Sequence, residues 1–153
     1  MRVAISTIAI IATLAGTSLS VAAEVAPGDV KIADLAVPDS LTGQPGDAEA
    51  GAKTFKDGKA GNCLACHTNK AMSKELFHGN VGPTLDGVAS RYEPAQLRAI
   101  IVNAKAVFGK QTTMPGFYSL DVGKDVREEF VGKTVLTAQQ VEDVLAYITT
   151  LKD

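Results

Sequence analysis

Apolar residues recur at helical spacing in three stretches of the chain, and each stretch predicts a helix. The first follows Asp47, a capping residue, and its apolar face is formed by Ala48, Ala52 and Phe55. The second begins at Glu93-Pro94, with proline in the first helical position. Its apolar stripe is Leu97, Ile100, Ile101 and Ala104, and the segment around Phe108-Gly109 ends it.

The third helix begins after a capping box formed by Thr137 and Gln140. Its apolar stripe is wide and consists of Val141, Val144, Leu145, Ile148 and Leu151. Gly51 lies beside the face of the first helix, where a glycine costs about 1 kcal/mol relative to alanine. We therefore expect a close crossing there, with Tyr147 of the third helix as the partner. Nothing predicts strands beyond short pieces, so the pattern indicates an all-α fold.

The N-terminus has the pattern of a secretory signal peptide. Met1-Arg2 gives a short basic start, residues 3–19 are mainly apolar, and Val21-Ala22-Ala23 offers small residues for cleavage before Glu24. A membrane anchor is the alternative, but the apolar run is short, is interrupted by polar residues and has no basic cluster after it. The sequence therefore predicts a signal peptide at residues 1–23 and a periplasmic mature protein.

Residues 24–46 contain six Pro and Gly residues without a sustained period, which predicts an extended N-terminal arm. The apolar side chains of the arm are Val30, Ile32, Leu35, Val37 and Leu41. They suit an interface, either with the arm's own domain or with a partner. Residues 47–153 are long enough for one domain. Within it, residues 120–135 are polar and irregular, which predicts a solvated excursion before the last helix.

The charge balance of the chain is modest. Loss of Arg2 with the signal peptide would change the formal net charge from −2 to about −3. This weak acidity argues against nucleic acid as a partner and gives no reason to expect binding to an anionic membrane. The sequence has two cysteines, Cys63 and Cys66.

Those cysteines form the motif Cys63-Leu64-Ala65-Cys66-His67, which is typical of c-type haem attachment. Each thiol would add to one haem vinyl group, and the adjoining His67 would be held under the iron as a neutral imidazole ligand. A redox dithiol is the first alternative, but the immediate histidine and the missing βαβ pattern disfavour it. A zinc site is the second, and it would need a further Cys or His pair.

A ligating imidazole needs an acceptor for its other ring N–H, and the carbonyl of Pro83 in a turn-rich stretch is our candidate. For the opposite face of the iron, the sequence offers Met114, followed by Pro115, which stiffens the loop. Met72 lies only five residues after His67, too close to reach that face. The alternatives are that Met114 merely fills the core and that His78 is the sixth ligand.

These residues occur in the order typical of the class I cytochromes c, which the sequence resembles from about residue 46 onwards. The resemblance rests on Gly51, Phe55, the motif at 63–67, Val81-Gly82-Pro83, Leu85, Met114-Pro115 and Tyr147. It implies a small helical fold that wraps one covalently bound haem c, with His67 proximal and Met114 distal. It also implies that Phe55 and Tyr147 lie at the crossing of the terminal helices.

More narrowly, the sequence is similar to the SoxX family, the small cytochrome subunits of SoxAX complexes. The residues that carry this resemblance are Asn62 to His67, the run from Asn80 to Ala89, Arg91-Tyr92, Met114-Pro115-Gly116-Phe117-Tyr118 and the long arm. The resemblance implies a heterodimer with a larger SoxA-like cytochrome, whose haem would couple thiosulfate to a cysteine of a SoxYZ-like carrier. Such a complex is an L-cysteine S-thiosulfotransferase.

On this interpretation, the chain is a subunit without the reacting centre. It would accept electrons and pass them to a downstream cytochrome, because His67 and Met114 together saturate the iron. The alternative function is a freely diffusing periplasmic monohaem cytochrome that meets its partners briefly. A third hypothesis, a haem-free dithiol protein, predicts no visible absorption.

Overall fold

The computed structural model describes residues 23–121, 123–126 and 128–153, so the predicted signal peptide lies outside the described residues except for Ala23. The helices are α1 (Ala48–Lys56), α2 (Val88–Arg91), α3 (Pro94–Phe108) and α4 (Ala138–Ile148). Short 3-10 turns lie at Cys63–Ala65, Lys70–Met72 and Glu128–Phe130. Apart from an isolated bridge between Ala33 and Ala36, the described residues contain no strand. The all-α prediction is confirmed, although α2 was not predicted.

Helices α1 and α4 cross closely, as predicted. A Cβ atom on Gly51 would lie 1.9 Å from the carbonyl oxygen of Asp143, so only glycine lets the two backbones approach this far. Beyond this point, the rings of Phe55 and Tyr147 meet edge to face with centroids 5.4 Å apart. The Asp47 side chain caps α1 by accepting hydrogen bonds from the backbone N–H groups of Glu49 and Ala50.

The core is formed by the predicted apolar stripes. All five residues of the third predicted stripe are buried, although α4 ends at Ile148 and Leu151 follows it. Thr137 and Gln140 form the predicted capping box. On α3, Leu97, Ile101 and Ala104 are buried, whereas Ile100 is half-buried. No helix in the described part of the chain is long and apolar enough to cross a membrane.

Helix α3 is interrupted at Asn103, whose φ of −154° and ψ of 88° are not helical. The side-chain oxygen of Asn103 accepts hydrogen bonds from the backbone N–H groups of Lys105 and Ala106, at 3.2 and 3.3 Å. Asn103 therefore acts as the N-cap of the last part of the helix. The break also releases carbonyl groups of the preceding turn from their usual partners.

The arm at residues 24–46 lies on its own domain. Val37 and Leu41 are buried, and the backbone N–H of Leu41 donates to the carboxylate of Glu142 on α4 at 2.9 Å. The same carboxylate is paired with Arg98 of α3 at 2.9 Å, and Arg98 also donates to the carbonyl of Val37 at 2.7 Å. One buried ion pair thus joins the arm to α3 and α4. Leu35 remains 53% exposed.

Candidate haem site

The attachment motif lies on a tight turn of the chain. Asn62 adopts a left-handed conformation with φ of 48° and begins the 3-10 turn at Cys63–Ala65. The carbonyl of Cys63 accepts hydrogen bonds from the backbone N–H groups of Cys66 and His67, at 3.1 and 2.9 Å. This turn brings both thiols and the imidazole into one short segment. Both cysteines are free, with Cys63 half-buried and Cys66 exposed.

The environment of Cys63 does not suit a redox dithiol. Burial raises the pKa of this thiol to about 12, with a further increase from the neighbouring Cys66. The thiolate is the reactive form of cysteine in disulfide exchange, so a thiol that stays protonated at neutral pH is a poor redox nucleophile.

His67 is held by the segment that contains Gly82 and Pro83. Its Nδ1 atom lies 2.7 Å from the carbonyl oxygen of Pro83, the acceptor proposed from the sequence. Because a carbonyl only accepts, Nδ1 carries the proton in the neutral ring, and Nε2 keeps its lone pair for a metal. The backbone N–H of Gly82 donates to the carbonyl of Cys66 at 2.9 Å. A Cβ atom on Gly82 would lie 2.3 Å from Cε1 of His67, so the backbone itself covers the ring.

Arg91 holds the segment after Pro83. Its guanidinium donates to the carbonyl oxygens of Asp86 and Thr84, at 2.7 and 2.9 Å. The carboxylate of Asp86 in turn accepts from the backbone N–H of Lys70 at 2.8 Å, which lowers the pKa of Asp86. The acceptor of the His67 ring is therefore part of a loop fixed at several points.

Met114 lies in the long loop between α3 and α4, half-buried and packed against the core. The loop is fastened to α3 on both sides of Met114. On one side, the ammonium group of Lys105 donates a hydrogen bond to the carbonyl of Thr112 at 2.7 Å. On the other, the backbone N–H groups of Phe117 and Tyr118 donate to carbonyls released by the break in the helix. The N–H of Phe117 donates to the carbonyl of Ile101 at 3.0 Å, and the N–H of Tyr118 donates to the carbonyl of Val102 at 3.1 Å.

The two rivals of Met114 are engaged elsewhere. Met72 is 9% exposed and belongs to the hydrophobic core. The Nε2 atom of His78 lies 2.9 Å from the carbonyl oxygen of Met72. The neighbouring Gly79 donates its backbone N–H to the carbonyl of Leu64 at 2.9 Å, so His78 lies beside the attachment segment.

Asn69, which no sequence pattern singles out, links the attachment segment to α4. This side chain is 1% exposed, and its amide donates to the hydroxyl of Tyr147 at 2.7 Å. Its oxygen accepts from the backbone N–H of Ala71 at 3.0 Å. An asparagine after a haem motif gives no local signal of such a role, because its partner lies 78 residues away.

The donor groups of the site fit a covalently bound haem. Two unpaired thiols and an imidazole with a free Nε2 lone pair lie within five consecutive residues, and a thioether lies in a separate fastened loop. The segment between His67 and Pro83 also carries the three most exposed large apolar side chains of the described residues. They are Phe77, Leu76 and Val81, at 87%, 74% and 67% exposed.

Comparison with known proteins agrees with this chemistry. The family model of cytochrome c matches residues 48–152. The crystal structure of SoxXA from P. pantotrophus contains a chain that is 41% identical, with a TM-score of 0.79, and the match covers 86% of this chain and 100% of that one. Ferric cytochrome c-550 from Paracoccus versutus is 18% identical with a TM-score of 0.40, covering 71% of this chain and 99% of its own. No curated protein sequence matches. The chain therefore belongs to the cytochrome c family and, within it, to the SoxX cytochromes, as an electron-transfer protein with a covalently bound haem c.

Proposed function

We propose that the chain is the electron-transfer subunit of a periplasmic SoxAX-like complex. A larger SoxA-like partner oxidatively couples thiosulfate to a cysteine of a SoxYZ-like carrier, and the electrons released pass through this chain to a downstream cytochrome. The observation that carries the proposal is the 41% identity over the full length of a chain from a SoxXA crystal structure. The complex acts as an L-cysteine S-thiosulfotransferase, and this subunit is non-catalytic.

In this proposal, Cys63 and Cys66 form the two thioether bonds to haem c. Nε2 of His67 and Sδ of Met114 would hold the iron, and the Pro83 carbonyl would orient the imidazole. The hydrogen bond at Nδ1 supports the assignment of His67, because it fixes both the tautomer and the ring orientation. The contact of Nε2 of His78 with the carbonyl oxygen of Met72 supports Met114 over that rival. When bound, haem c supplies one-electron chemistry.

The two axial side chains explain why we assign the reacting centre to the partner. With His67 and Met114 both ligating, no coordination position remains for substrate, which suits electron transfer. A thioether ligand also favours the reduced iron and raises the reduction potential. The residues of this chain thus hold the cofactor and set its potential, while bond formation takes place elsewhere.

The exposed apolar residues support a stable heterodimer over a freely diffusing carrier. Leu76, Phe77 and Val81 lie in a segment that is hydrogen-bonded to the attachment motif. Phe77 has a φ of +67°, a conformation unusual for a bulky residue, and such backbone strain is typical of functional positions. A transient redox encounter buries little surface, whereas a permanent interface covers large apolar side chains.

The proposed domain organisation follows from the same assignment. Residues 1–23 form a signal peptide cleaved after Ala23, residues 24–46 form the arm, and residues 47–153 form the cytochrome c domain. Export is supported by the basic start, apolar run and small residues of the N-terminus.

Native purification tests the proposed complex directly. The source cells are grown on thiosulfate, and haem absorbance is followed through size exclusion at low and moderate salt. We expect this chain to elute with a larger haem polypeptide in constant ratio. Elution as a lone small haem protein at both salt concentrations would contradict the heterodimer and favour the free carrier.

A further inference from the structure

Tyr118 connects the proposed ligand loop to the beginning of the arm. It is four residues after Met114 and only 2% exposed. Its hydroxyl lies 2.7 Å from the carbonyl oxygen of Val25 and 3.0 Å from a carboxylate oxygen of Glu24. Both oxygens accept, so the phenol is the donor, and the contact joins segments more than ninety residues apart.

The arm is itself fixed where it meets Tyr118. The backbone N–H of Val25 donates to the carbonyl of Leu41 at 2.8 Å. Leu41 is 1% exposed, and its own N–H donates to the buried carboxylate of Glu142. The acceptors of the Tyr118 hydroxyl are therefore anchored to α4 through the arm and do not form a loose tail.

Tyr118 is fixed through both its backbone and its side chain. Tyr118 is held by its backbone to Val102 and by its hydroxyl to the arm. The three residues that join it to Met114 include Pro115, which restricts the backbone. A displacement of Met114 away from the haem therefore pulls on the contact of Phe117 with Ile101 and on both contacts of Tyr118.

From this geometry, we propose that Glu24 and Val25 form a strap that holds Tyr118 and thereby keeps the Met114 loop closed over the haem. Tyr118 is a positioning residue: it does not touch the iron but sets how readily Met114 gives up its place to another ligand. The inference rests on the proposed ligation by Met114 and adds a role for the arm within this subunit.

The strap persists over the physiological pH range. Burial, and secondarily the hydrogen bond to Glu24, raise the pKa of Tyr118 to about 12. The phenol therefore remains a protonated donor from neutral to moderately alkaline pH.

The test is imidazole binding to the ferric holoprotein, in which imidazole competes with Met114 for the iron. Tyr118→Phe removes the hydroxyl and leaves the ring in the core. We expect imidazole to bind about tenfold more tightly to this variant, because a lost buried hydrogen bond is worth about that factor in an equilibrium constant. Deletion of Glu24 and Val25, which leaves Tyr118 unchanged, is expected to shift the affinity in the same direction.

Asp47→Ala is the matched control, since it removes the cap of α1, whose hydrogen bonds among the described residues go only to Glu49 and Ala50, and should cost about as much stability as a lost buried hydrogen bond. It should lower the free energy of unfolding without changing imidazole affinity. Unchanged affinity in Tyr118→Phe or in the deletion would overturn the strap. An equal increase in Asp47→Ala would also overturn it, because the effect would then reflect general stability.

A parallel measurement on Met114→Leu separates the strap from the ligation on which it rests. Imidazole should bind far more tightly to this variant, since no thioether competes with it. If Met114→Leu leaves both affinity and spectrum unchanged, the assignment of Met114 itself is wrong. If Met114→Leu responds and Tyr118→Phe does not, ligation stands and the strap alone is refuted.

Discussion

His67 is oriented by backbone groups and not by another ionisable side chain. The carbonyl of Pro83 accepts from Nδ1, and the backbone at Gly82 lies so close to the ring that a single methyl group would collide with it. A neutral acceptor raises the basicity of the imidazole less than a carboxylate would, and it adds no charge that varies with pH. In the proposed site, this favours a potential governed mainly by the axial ligands.

Met114 and Met72 offer a matched pair for a substitution experiment. Met114→Leu should leave haem attached but remove the weak long-wavelength absorption that a thioether gives ferric haem. The reduction potential should fall by on the order of 0.1 V, within the ~0.8 V range that axial ligands span. Absorption spectroscopy and redox titration measure both effects.

Met72→Leu is the control for this experiment. Met72 is buried in the core, and a volume-conserving exchange there costs less than about 1.5 kcal/mol of stability. Its spectrum and potential should match those of the unsubstituted protein. A Met114→Leu protein with unchanged spectrum and potential would show that another group ligates the iron.

The break in α3 is the element that links the helical core to the ligand loop. Without it, the carbonyls of Ile101 and Val102 would accept from their own helix and could not hold Phe117 and Tyr118. Asn103 makes the break possible, because its side chain replaces the lost acceptor for the following N–H groups. The loop and the helix thus depend on one side chain.

Asn103→Ala should therefore destabilise the holoprotein by about 1 kcal/mol, the usual effect of removing an N-cap. Chemical denaturation followed by circular dichroism measures this loss. Asn103→Asp keeps a capping oxygen and should retain most of the stability. If the alanine variant were as stable as the aspartate variant, the cap would not support the break.

Elements governed by local sequence were predictable, whereas those governed by distant partners were not. The caps at Asp47 and Thr137 and the crossing at Gly51 depend on residue type and spacing, and all three are confirmed. The break at Asn103 interrupts no apolar stripe, so periodicity gives no sign of it. It depends on Phe117 and Tyr118, which lie beyond the helix.

The same distinction applies to the candidate site. The motif at residues 63–67 identifies haem attachment because its spacing carries the chemistry. The sequence left open whether the arm packs on its own domain or on a partner. Its position is decided by Glu142, about a hundred residues later, which accepts from the backbone of Leu41. Asn69 supports the site through a contact of this long-range kind, because its partner Tyr147 lies 78 residues later.

At the scale of the whole molecule, the arm makes the subunit more than a minimal cytochrome. It is joined to α3 and α4 by the buried pair of Arg98 and Glu142. A buried ion pair contributes little net stability against an apolar replacement, but removal of one partner is strongly destabilising. The pair therefore serves mainly to fix the register of the arm. The apolar side chains of Leu76, Phe77 and Val81 remain exposed on the described part of the chain, where the proposed heterodimer would cover them.

In the proposed function, this haem receives electrons from a reacting centre on another subunit. The most direct measurement is the absorbance of this haem after addition of thiosulfate, first to the isolated protein and then to its complex with the larger subunit and the carrier. We predict reduction on the timescale of turnover only in the complete mixture. Equally rapid reduction of the isolated protein, or a haem that stays oxidised while the complete complex turns over, would contradict the account.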